Sequence, residues 1–195
     1  MTLHRHSGFT LVELMVTLTV VIILLMVAVP SFQSVINSNR LSSAANELVA
    51  GLQAARIQAV RFDKRTVVCL STNANTSSPT CASDNAINAT GWIVFVDADK
   101  SSAYNSGDTL LRVGTVNSAV SILGSSNLKG KTKVIFRSDG LARDSSGAVL
   151  TGTVDMCIAT KHPSENVRHV SIRSGGVTVS RADAGGVCSA PTNST

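Results

Sequence analysis

Residues 8–16 read GFTLVELMV, and the single glutamate among them, Glu13, decides how the chain is read. From Phe9 to Val29 the sequence is an apolar run of 21 residues whose only charge is Glu13. About 20 apolar residues cross a bilayer as one helix. A charged carboxylate at the bilayer centre costs roughly 2.5–3.5 kcal/mol or more. Such a group is tolerated when paired and strongly penalised when alone. Glu13 therefore either counts against the membrane reading or is the most informative residue of the chain.

The flanks orient this segment. His4, Arg5 and His6 precede it without an acidic residue, which keeps the N-terminus cytoplasmic and sends everything after Val29 across the membrane. A secretory signal peptide would end at a small-residue cleavage site, and Ala28-Val29-Pro30 is a poor version of one. Beyond Pro30 the apolar residues keep helical spacing. Leu41, Ala45, Leu48, Leu52, Ala55, Ala59 and Phe62 form one stripe, with Arg40, Asn46, Glu47, Gln53, Arg56, Gln58 and Arg61 between them. Residues 9–62 are thus predicted to form one helix about 80 Å long at ~1.5 Å per residue. Its first half is apolar all round and its second half on one face, with a kink or loosening expected at Pro30.

The remainder reads as β structure. Thr66–Leu70, Trp92–Val96, Thr109–Val113, Val120–Leu123 and Lys133–Phe136 are short and rich in β-branched residues, and Gly, Asn, Ser and Asp clusters separate them. Val154–Ala159 is a further candidate, and Arg168–Arg173 with Val177–Arg181 flanks Ser174-Gly175-Gly176 as a closing hairpin. The expected fold class is α+β: a lollipop whose long N-terminal helix packs its amphipathic half on antiparallel sheet, in two small sheets. Residues 71–90 form a long polar loop, and the tail from Ser189 is polar.

The four cysteines, Cys69, Cys81, Cys157 and Cys188, all follow the membrane segment, where oxidation is permitted. Three pairings are open, and the sequential one, Cys69 with Cys81 and Cys157 with Cys188, closes the shortest loops. No two cysteines stand at zinc-finger spacing. A net charge of +5 and a pI near 9.3 are compatible with anionic partners without demanding nucleic acid. Beyond the first six residues the histidines are His162 and His169, and neither stands in a hydrolytic constellation. No P-loop or dinucleotide glycine pattern follows a strand. The chain reads as a non-enzyme with no cofactor.

Gly8-Phe9-Thr10-Leu11-Val12-Glu13-Leu14 resembles the processing motif of type IV pilins and type II secretion pseudopilins. The stripe NRLSSAANELVAGLQAARIQAV, the strand TVVCLS, GWIVFVDAD, VIFRSDG and the late cysteines around RHVSIRSGG are similar to the GspH/FimT family of minor pilins and pseudopilins. The resemblance implies a leader over residues 1–8, a transmembrane and filament-core helix over 9–29, an amphipathic half over 30–62 and a periplasmic head over 63–195. It implies that a prepilin peptidase cuts between Gly8 and Phe9 and methylates the new amine of Phe9. Inner-membrane lipid would hold the apolar segment first, and other minor and major pilins or pseudopilins later. Glu13 would pair with the N-terminal amine of a neighbouring subunit. The four-cysteine head and basic hairpin lean towards a type IV pilus, with type II secretion as the alternative.

Two further sets of residues invite a ligand. Some relatives take up DNA through arginines near the C-terminal end; Arg173 and Arg181 are the nearest counterparts in this chain, with Arg168 as a further candidate, although the compact Gly-Arg-x-Arg signature is absent. Asp97, Asp99, Ser101, Asn105 and Asp108 fall at EF-hand steps 1, 3, 5, 9 and 12. The central glycine of such a loop is Ser102, its closing glutamate is Asp108, and strands flank it. Polar turn chemistry accounts for the same residues, so the reading is no metal, with calcium as the candidate if one binds.

Overall fold

The computed structural model describes residues 9–83, 89–128 and 133–193. Gly8 and the leader expected over residues 1–8 lie outside the described residues. Helix α1 runs from Leu11 to Phe62, 52 residues. Thr10 caps it in an extended conformation, its hydroxyl accepting the Glu13 N–H at 3.2 Å. Glu13 sits in the first turn, where a negative charge suits the helix dipole. The helix continues through Pro30, which cannot donate to the preceding turn. Asp63 ends it in the left-handed region at φ 47°.

Strands β1 (Thr66–Ser71), β2 (Gly91–Val96), β3 (Thr109–Thr115), β5 (Lys133–Phe136) and β6 (Ala142–Arg143) form one antiparallel sheet in the order β3-β2-β1-β5-β6. Strands β4 (Ser121–Gly124), β7 (Thr151–Cys157), β8 (Val167–Arg173) and β9 (Gly176–Ala182) form a second, ordered β4-β7-β8-β9. The helix lies against both. Leu41, Ala44, Ala45, Leu48, Leu52, Ala55 and Ala59 share one core with Val68, Trp92, Val94, Val134 and Phe136 of the first sheet and Val154, Met156, Val170 and Ile172 of the second. Gly51 on the helix and Gly114 on β3 make room for Trp92, since a Cβ would come within 3.0 Å of its indole at Gly51 and 2.3 Å at Gly114.

The other face of the first sheet is also covered. Val67, Cys69, Ile93, Phe95 and Ile135 form a second core against Cys81, Tyr104 and Leu110. A strand buried on both faces has no polar side to alternate with, which is why TVVCL and WIVFV are apolar without a break. Cys69 is bonded to Cys81 and Cys157 to Cys188. The first bond holds the loop after β1 over the second core, and the second holds the C-terminal tail to β7.

Two sequence expectations are corrected and one strand was not foreseen. Phe62, placed last on the apolar stripe, is 55% exposed, because the chain turns away at Asp63 and leaves the ring against the Arg61 guanidinium. Strand β7 begins at Thr151 instead of Val154, since Gly152 marks close approach of the Leu128 side chain and not a turn. Strand β6 has only two residues, too few for a periodicity to show. A test of the core follows from Leu48, 2% exposed at its centre: Leu48→Ala is expected to cost about 2–5 kcal/mol, read by denaturant unfolding.

Candidate assembly site

Among the described residues, nothing covers the apolar half of α1. Every large apolar side chain from Phe9 to Ile36 is at least 48% exposed. An 18-residue window of this helix has a mean hydropathy of 2.8, with none of it buried. Glu13 is exposed on the same surface. Leaving so many large apolar groups in water forgoes roughly 1.5–3 kcal/mol for each, so lipid or other helices must cover them.

Polar bonds fix the amphipathic half to the head on both sides of its apolar stripe. Glu47 accepts from Arg112 of β3 at 2.7 Å. On the other side Asn37 donates to the His162 carbonyl and Arg56 to the Gly175 carbonyl, each at 2.9 Å. Arg168 of β8 is 2% exposed, and its guanidinium donates to Ser38 Oγ at 3.1 Å and Ser42 Oγ at 3.4 Å. It also donates to the carbonyls of Glu165 and Val167. Burial pushes its pKa down, as does nearby Arg181, while Glu165 opposes them. The sequence signal for this clamp was present in Ser38 and Ser42, four residues apart on one helix face.

This removes Arg168 from the three arginines, Arg168, Arg173 and Arg181, that were candidates for binding DNA. Arg168 points into the head against α1, where phosphate cannot reach it. Arg181 lies directly opposite Arg168 on β9 and pairs with Glu165 at 3.6 Å. Arg173 is exposed at the hairpin end, five residues from Arg168 and so on the opposite sheet face, about 17 Å along the strand. The three arginines do not form one patch. His169, also on that opposite face, is held by the buried carboxylate of Asp155 at 2.5 Å. Burial raises the Asp155 pKa and the His169 bond opposes it.

The loop from Asp97 to Asp108 does converge. One carboxylate oxygen from each of Asp97, Asp99 and Asp108 lies within 4.8 Å of the others. Asp97 is 2% exposed and its Oδ2 lies 2.9 Å from Arg65 Nε. Asp99 accepts from the Ser101 N–H at 3.0 Å and from Asn105 Nδ2 at 2.9 Å. Asp108 accepts from the backbone of Ala98 and Asn105. The bonds to Ser101, with smaller help from Asn105, lower the Asp99 pKa to about 2.

A head built around an amphipathic half-helix, with an uncovered apolar half-helix ahead of it, defines a pilin-class filament subunit. The family model of type II transport protein GspH matches residues 44–176, more than half of the chain, and that of the prokaryotic N-terminal methylation motif matches residues 3–29. The protein belongs to the GspH family of minor pilins and pseudopilins. Two crystal structures of the type IV minor pilin FimU from Pseudomonas aeruginosa PAO1 are similar to it. They are 18% and 19% identical over 72% and 73% of this chain and 92% and 90% of theirs, each with a TM-score of 0.49. No curated protein matches the chain.

Two outcomes test this geometry. Arg168→Ala is expected to cost about 1–3 kcal/mol in head stability, by leaving buried carbonyls unsatisfied, with Arg168→Lys failing to restore it. Asp99 should titrate near pH 2 by carboxyl 13C NMR in chelated buffer. Because its folded pKa is below the usual 3.8, the stability it contributes is present above that value and lost as pH falls through about 2.

Proposed function

We propose that the protein is a minor pilin of a type IV pilus. It is cut by a prepilin peptidase between Gly8 and Phe9, methylated at the Phe9 amine, and incorporated at or near the filament tip. The observation that carries this reading is the apolar half-helix, uncovered from Phe9 to Ile36, with Glu13 in its first turn. Lipid of the inner membrane covers it first, the N-terminus in the cytoplasm and the head in the periplasm. Neighbouring pilin helices cover it after assembly. Extraction from lipid into a helix bundle removes little apolar contact, because both surroundings are apolar. What the filament adds is a partner for Glu13, the cationic N-terminal amine of an adjacent subunit. That pairing sets the axial register, since a displaced subunit leaves its carboxylate unpaired in an apolar core.

The role is assembly and not catalysis, and calls for no cofactor. Membership in the GspH family favours a second reading, a minor pseudopilin of type II secretion, in which the same helix and carboxylate act in a periplasmic filament. Scoring twitching and protein secretion in a deletion strain separates the two. Replacement of Glu13 by alanine is expected to leave leader cleavage intact and reduce filament incorporation by roughly tenfold or more, from the penalty for an unpaired buried charge left on the neighbouring amine. Immunoblotting of membrane and sheared filament fractions reads both, and normal incorporation of the alanine variant would refute the pairing. Gly8→Ala should leave the precursor uncut.

A further inference from the structure

The loop between β2 and β3 holds more negative charge than its own bonds neutralise. Asp97, Asp99 and Asp108 bring carboxylate oxygens to within 4.8 Å of one another, a spacing that suits oxygens shared around one ion of ~2.3–2.6 Å bond length. The only cation bonded to the group among the described residues is Arg65, on Asp97 Oδ2. Lys100 belongs to the same loop and lines the cleft on the side of Asp63 and Arg137. Three carboxylates against Arg65 leave two negative charges in the cluster.

An independent observation concerns Asp97 itself. Its side chain is fully buried, and while Oδ2 accepts from the Ser102 N–H at 3.0 Å, Oδ1 is buried with no hydrogen-bond partner among the described residues. The carboxylate lies against that of Asp99 and feels the charge of Asp108. Asp97 thus brings to two other carboxylates a buried carboxylate of which one oxygen lacks a donor, and that combination calls for a cation. We infer that Asp97, Asp99 and Asp108 hold a divalent cation, calcium by preference, which ties the β2–β3 loop to the start of β1 through Asp97 and Arg65. All the donors are hard oxygens, which disfavours zinc and copper. The donors also sit on an irregular loop, which suits the flexible coordination of calcium better than the strict octahedron of magnesium. Water would complete the shell on the exposed side, where Asp99 lies.

The test uses the full chain in detergent, stripped with EDTA and titrated with terbium, calcium and magnesium. Tyr104, in this loop and 5.3 Å from the Phe95 ring, serves as the sensitiser for terbium. The expected result is terbium emission that saturates at one equivalent, is displaced by calcium, and is not displaced by the same concentration of magnesium. Calcium at a hundredfold over its Kd should raise Tm by about 5 °C or more. Asp99→Asn and Asp108→Asn should each weaken calcium binding roughly tenfold or more, while their Tm values in EDTA show what the lost loop bonds cost by themselves. Asp97→Asn is avoided because it also strips Arg65 of its partner. Emission that calcium does not displace, or the same Tm in calcium and in EDTA, would overturn the proposal. Equal displacement by magnesium would overturn the preference for calcium.

Discussion

The head depends on one seam, the apolar stripe of α1 laid across two sheets that share no strand pairing among the described residues. Each sheet alone would expose a hydrophobic face, and so would the amphipathic half-helix. Packed together they leave a single core in which small residues, Ala44, Ala45, Ala55 and Ala59, let the helix approach closely while Leu41, Leu48 and Leu52 fill the space between the sheets. The polar bonds from Asn37, Glu47, Arg56 and Arg168 straddle this stripe. They add direction to an interaction that burial alone would leave free to slide.

The first sheet shows how a second layer can be built without a second helix. Its outer face is sealed by loops, one of them tied down by the Cys69–Cys81 bond and the other packing the Tyr104 ring at a tilt against Phe95. Cross-linking constrains the unfolded chain, and a loop of about 15 residues corresponds to ~3 kcal/mol in the chain-entropy view. Loops rich in Ser, Thr and Asn carry little apolar surface with which to hold themselves in place. A covalent bond at the base of one does what side-chain burial there cannot.

Much of this was legible in the residues. The helix, its anchor half, eight of the strands and the closing hairpin follow from periodicity, because burial on one face or two writes itself directly into the apolar pattern. What periodicity does not carry is the third dimension between elements. Arg168 looked like a surface charge because its strand neighbours alternate in the usual way. Only the packing of β8 under α1 shows that its side of the strand is the buried one. Conversely, the acidic residues of the β2–β3 loop were visible as spacing, but the burial of Asp97 beside Arg65 was not, since it is set by how the loop packs in three dimensions. Strand β6 was missed for a simpler reason: two residues hold no period.

The helix passes from exposed to buried without a linker, so α1 is at once the handle and the spine of the head. In a filament under tension, load would enter along the helix axis. The contacts that resist it lie beside the helix, spread from Asn37 to Ala59, and are strained together in shear instead of being opened one after another from an end. Rotation is transmitted in the same way. With no flexible joint between rod and head, any twist imposed on the packed helices reappears as the angular position of the head on the filament surface.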